Sequence, residues 1–128
     1  MKKQIFWVDD SFINLANAQK ALMRLYEVII CDSVEAMFRF LLRSIPKLII
    51  LNEDMANMDG YEAIKMLKCN DTYKNIPVIF VFLSLPSRQS INKCMDLGAV
   101  GYIHMANDDE RLAKLIEMYI LEHTPTIT

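Results

Sequence analysis

Glycine and proline are scarce, with 3 and 4 residues in a chain of 128. That scarcity excludes a collagen-like repeat, low complexity or disorder as the bulk of the chain. Cysteine is scarce too. Cys31, Cys69 and Cys94 are odd in number, far apart and form no C-x-x-C pair. Neither a disulfide framework nor a zinc site is expected, and all three read as reduced packing residues. Positive charge is not in excess: 14 Lys and Arg stand against 16 Asp and Glu, a net of −2. No basic field therefore invites nucleic acid or an anionic membrane surface. No apolar run approaches the roughly 20 residues of a membrane span. The N-terminal run Ile5-Phe6-Trp7-Val8 is too short for a secretory signal, so the expected setting is cytoplasmic. What is plentiful is apolar: 53% of the residues are hydrophobic against 23% charged, enough for one core in one domain.

The apolar residues change period along the chain. Ile5–Val8 reads as a strand that stops at Asp9-Asp10, after which Ser11 caps a helix with Phe12, Leu15, Ala16, Gln19, Leu22 and Leu25 at helical spacing. Glu27–Cys31 reads as a second strand. Asp32 with Glu35 three residues on resembles a capping box, opening a helix through Ala36, Met37, Phe40 and Leu41. Leu48–Leu51 is a third strand, followed by the turn-rich stretch Glu53–Gly60 and a helix over Tyr61–Cys69. Pro77–Leu83 is a fourth strand, Ser87–Leu97 a helix that Gly98 stops, and Val100–Ile103 a fifth strand. Asn107 or Asp108 caps a last helix with Leu112, Leu115, Ile116, Tyr119 and Ile120 on one face. Residues 1–123 form the domain and 124–128 a frayed tail.

Strands that are apolar throughout and alternate with helices belong to a parallel sheet covered on both faces. The fold class is a doubly wound, three-layer α/β/α sandwich, whose sites form at the carboxyl ends of the strands. Asp9, Asp10, Asn52, Glu53, Asp54, Phe82, Leu83, Ser84, His104 and Met105 stand there. Adjacent carboxylates at a strand end serve either as a helix cap and a solvated loop residue or, since like charges in a crevice need neutralising, as ligands for a hard divalent cation.

Val8-Asp9-Asp10 followed by Ile13-Asn14-Leu15, the stretch LIILNEDMANMDGYE (48–62), Ile76–Phe80 and LGAVGYI (97–103) together resemble the receiver domain of bacterial two-component response regulators. The resemblance covers residues 3–122. It implies a flavodoxin-like five-stranded parallel sheet of order 2-1-3-4-5 with five helices, and a signalling module, not an enzyme. It also implies phosphoryl transfer onto an aspartate after the third strand, with Mg²⁺ held by the acidic pair, that aspartate and a backbone carbonyl two residues on. A hydroxyl after the fourth strand and a lysine after the fifth would hold the phosphoryl oxygens.

Carried over residue by residue, the acidic pair is Asp9 and Asp10 and the carbonyl position is Asp54. The phosphoacceptor position, however, is Asn52, the hydroxyl position Phe82, the lysine position Met105, and the proline after it Ala106. A neutral carboxamide is a poor nucleophile. Phe82 brings a ring and no hydrogen bond, and Met105 brings no charge. The expectation is a pseudo-receiver that is not phosphorylated on aspartate and acts as a protein-interaction or dimerisation module. The alternative is a working phosphoacceptor using a displaced carboxylate, Asp54, Asp10 or Asp9. A small-ligand binder of flavodoxin type is disfavoured, because no Gly-rich or Ser/Thr-rich loop follows the first strand.

No cofactor is required on this reading. The clustered Asp9, Asp10 and Asp54 would take Mg²⁺ or Ca²⁺ or share a proton. Tyr102 keeps the place of the family's switch aromatic, and Phe82 competes with it for space. The expected partner is a signalling protein or a second copy, bound through the fourth helix, fifth strand and fifth helix, where Arg88, Lys93, Asp96, Asp108, Asp109, Arg111, Lys114 and Glu117 supply mixed charge. No output domain follows residue 123, so the expectation is a stand-alone regulator or one domain of a longer protein.

Overall fold

Runs of four or five consecutive apolar residues need cover on both faces, and the chain supplies it with helices above and below one sheet. The structure, a computed structural model, describes residues 1–105 and 109–123. The elements follow in order β1 (Lys3–Val8), α1 (Phe12–Leu22), β2 (Tyr26–Cys31), α2 (Val34–Leu41), β3 (Leu48–Asn52), α3 (Gly60–Lys68), β4 (Val78–Phe82), α4 (Arg88–Asp96), β5 (Gly101–His104) and α5 (Asp109–Glu122). All strand pairs are parallel, and the sheet order is β2-β1-β3-β4-β5. This is the flavodoxin-like arrangement. Ala106, the expected Asn107 or Asp108 cap and the expected tail lie outside the described residues.

Strand alternation divides the core into two layers. Phe6, Val8, Ile49, Leu51, Val78, Phe80 and Phe82 face α2, α3 and α4. Ile5, Trp7, Leu48, Ile50, Ile79, Val81 and Ile103 face α1 and α5. The first four helices are each started by a side-chain oxygen: Ser11, Ser33, Asp59 and Ser87 accept from backbone N–H groups of α1 to α4. Gly98, at φ 108°, ends α4 in the left-handed region, as its position predicts.

Three local expectations change. The cap of α2 is Ser33, whose hydroxyl accepts from Ala36 N–H (3.0 Å), so the Asp32–Glu35 pair is not a capping box. On α1 the buried face is Leu15, Ala18 and Leu22, while Phe12, Ala16, Gln19 and Leu25 are exposed. The helix ends at Leu22, so Leu25 lies past it, and Phe12 sits in the first turn beyond the sheet's covering layer. On α2, Phe40 is at the margin of the core, edge-on to Phe6 at 6.3 Å.

Candidate functional site

The carboxyl ends of β1, β3, β4 and β5 bring the singled-out residues to one end of the sheet. β3 stops at Asn52, whose side chain is 2% exposed. Its Oδ1 accepts the Asp54 N–H at 3.1 Å, which turns the chain out of the strand. The alternation that would set Asn52 and Asp54 on one side therefore ends before Asp54, and Asp54 is exposed. Gly60 opens α3 against this strand end. A Cβ there would lie 2.6 Å from the Asn52 carbonyl oxygen and 3.2 Å from Glu53 Cα, so only glycine lets the helix approach so closely.

Asp9 is fully buried, and both of its carboxylate oxygens are engaged. Oδ1 accepts the Ser11 N–H (2.9 Å) and Oδ2 accepts the Asn14 side-chain N–H (3.2 Å). Two donors at the start of α1, together with the positive end of the helix, stabilise this charge. Asp10 is exposed, and its Oδ2 accepts the Ala56 N–H at 2.9 Å, tying the loop after β1 to the loop after β3. A cleft of about 400 Å³ opens beside that tie, between Asp10, Asp32, Glu35, Met55 and Met58.

A divalent cation would need several carboxylate oxygens turned toward one point. Here the strand end offers an amide, both Asp9 oxygens and one Asp10 oxygen accept protein N–H groups, and Asp54 faces solvent. Among the described residues no group of three or more His, Cys, Asp or Glu side chains is arranged to hold a metal ion.

Phe82, expected at the family's hydroxyl position, is 1% exposed, packed edge-on against Tyr102 at 6.0 Å and beside Phe80 at 6.4 Å. Tyr102 itself is 38% exposed. Met105 follows β5, held by its N–H on the Phe82 carbonyl (3.0 Å), and its side chain packs with the α1 and α5 layer. Ser84 and Leu83 are exposed, and His104 is half-buried.

A second group of residues escaped the pattern reading. The Tyr61 hydroxyl donates to Glu53 Oε2 at 2.9 Å, its ring lies 5.1 Å from Phe80, and Lys93 Nζ sits 4.1 Å above the ring centroid. Burial, then the Glu53 carboxylate, push the Tyr61 phenol up to about 12. No periodicity signals this trio, since its members come from a loop and two helices. Glu53 stands among the strand-end residues and Lys93 among the charges of the partner face, but nothing in the sequence joins either to Tyr61.

Comparison with known proteins matches a family model, the response regulator receiver domain, over residues 5–117. A probable cyclic di-GMP phosphodiesterase of Vibrio cholerae is 33% identical over 100 residues, which are 77% of this chain and 22% of that protein. The chain thus spans about a fifth of that relative's length. The signal receiver domain of a signal transduction histidine kinase from Syntrophus aciditrophicus is 26% identical, with a TM-score of 0.82 over 98% of this chain and 97% of that one. The fold also superposes on the chemotaxis protein CheY4 of Vibrio cholerae, at 21% identity and a TM-score of 0.86 over 93% of this chain and 99% of that one.

Proposed function

The chain belongs to the response regulator receiver family, and on that premise we propose that this receiver domain of two-component signalling works without aspartyl phosphorylation, as a protein-interaction module. The observation that carries the reading is the joint loss at Asn52, Phe82 and Met105. Phosphoryl transfer depends on positioning and on neutralising the transferred charge. An amide oxygen does not supply the nucleophile, an apolar ring occupies the hydroxyl position, and a thioether replaces the cation. The residues around the strand end satisfy one another: Asn52 holds Asp54 N–H, Asp9 holds Ser11 and Asn14, and Asp10 holds Ala56.

The partner face is α4, β5 and α5, for a signalling protein or a second copy, where Met95, Tyr102 and Met118 are partly exposed. The much longer phosphodiesterase relative suggests an output: control of cyclic dinucleotide turnover by another domain or another protein.

Intact mass after incubation with acetyl phosphate and Mg²⁺ tests the reading. The wild-type chain is expected to gain no phosphoryl group. Each lost electrostatic partner costs on the order of 10²–10³ in rate. Asn52→Asp alone still lacks two such partners and should therefore label on the order of 10⁴-fold more slowly than Asn52→Asp combined with Phe82→Thr and Met105→Lys. A phosphoryl adduct on the wild type that Asp54→Asn, Asp10→Asn or Asp9→Asn abolishes would establish the displaced-carboxylate alternative.

A further inference from the structure

α4 is the least anchored helix of the domain. It buries one side chain, Cys94, while every other helix buries at least three. Apolar burial holds the other four in place. For α4 that contribution is small, so its few polar contacts carry a larger share. Those contacts converge on one phenol. Lys93 places its ammonium 4.1 Å above the Tyr61 ring, and Ser90, one turn earlier on the same face of α4, lies beside the Tyr61 hydroxyl. That hydroxyl donates to the Glu53 carboxylate at 2.9 Å. A phenol that hydrogen-bonds to an anion is richer in electrons, which strengthens its attraction for a cation on its face.

The phenol is also the first of four rings in contact. Tyr61 lies 5.1 Å from Phe80, Phe80 6.4 Å from Phe82, and Phe82 6.0 Å from Tyr102. The row runs across the end of the sheet from α3 to the exposed ring of β5. Glu53 directly follows Asn52, so one end of this device stands at the strand end where a phosphoryl group would act.

We propose that Glu53, Tyr61 and Lys93 form a clamp that seats α4, and that through the Tyr61–Phe80–Phe82–Tyr102 row the clamp, in place of a phosphoryl group, sets how Tyr102 is presented to a partner. The clamp rests on the reading that no phosphoryl group is accepted. A partner that draws Lys93 off the ring would release α4, and an anionic surface is the chemistry that competes for that ammonium.

The test is hydrogen exchange of backbone amides in the intact chain, with the Tyr102 ring resonance followed by NMR. Lys93→Met keeps the apolar stem and removes the charge, and Tyr61→Phe keeps the ring and removes the hydroxyl. Each should raise exchange of the α4 amides about threefold to tenfold while amides of β1 and α2 stay at wild-type rates, and each should shift the Tyr102 resonance. Unchanged α4 exchange in both variants overturns the clamp. So does a rise shared equally by all elements, which would mark a general loss of stability. Unmoved Tyr102 overturns the link to β5. A phosphoryl adduct on the wild-type chain would instead overturn the reading beneath, whatever the exchange shows.

Discussion

At Asn52 an amide nitrogen replaces an oxygen, and the change alters both chemistry and cost. A carboxylate at 2% exposure would need charge-compensating donors of the kind that Asp9 has, whereas the neutral amide needs only ordinary hydrogen bonds. It has one in the Asp54 N–H. Burial acts in the opposite sense on acidic groups that stay protonated. Desolvation first, then Glu53, raise the Tyr61 phenol from 10.0 to about 12, and desolvation first, then Asp32, raise the Cys31 thiol from 9.0 to about 12. Both folded values lie above the unfolded ones, so the native state holds these protons more tightly. That contribution to stability is complete below pH 9 and is lost as the pH rises toward 12. The melting temperature should therefore fall across that window, and less steeply in Tyr61→Phe. Equal slopes in the variant and the wild type would contradict the assignment.

At the scale of elements, local chemistry was the more legible part. Ser11 as a cap, Gly98 as a stop and every strand could be read from composition and period, because these signals act within a few residues. The cap of α2 could not. Asp32, Ser33 and Glu35 offer two overlapping motifs, and only the backbone path decides which oxygen meets a free N–H. It is Ser33 Oγ that meets Ala36. Ser33→Ala should lower stability by about 1 kcal/mol, while Asp32→Ala, an exposed side chain near the positive helix end, should cost only about 0.3 kcal/mol. Urea denaturation of the two variants checks the ranking, and a larger loss for Asp32→Ala would reinstate the capping box. The inward face of α1 was misread for a related reason. Periodicity finds a stripe but neither its centre line nor its ends: Ala18 is inward while Ala16 and Gln19 are exposed, and Phe12 and Leu25 lie beyond the part of the helix that the sheet covers.

Across the whole molecule, both apolar layers are built on the same five strands, so neither can open without exposing the other. Trp7, fully buried in the α1–α5 layer with its indole nitrogen lacking a hydrogen-bond partner, reports that layer. Its fluorescence and the far-ultraviolet circular dichroism of all five helices should change at one denaturant midpoint. Separate midpoints would mean that the layers unfold independently. The sequence by itself determined the order of elements, the two-sided burial of the strands and the identity of the groups at their ends, because strand period, helix period and side-chain chemistry are local properties. The residue types at Asn52, Phe82 and Met105, on which the proposal of a receiver that takes no phosphoryl group rests, are likewise read directly. Only the tertiary structure decided which carboxylates are already engaged, that Asp54 leaves the strand line, and that Glu53, Tyr61 and Lys93 meet. Those facts depend on distances between segments far apart in the chain, and such distances are set when the layers pack.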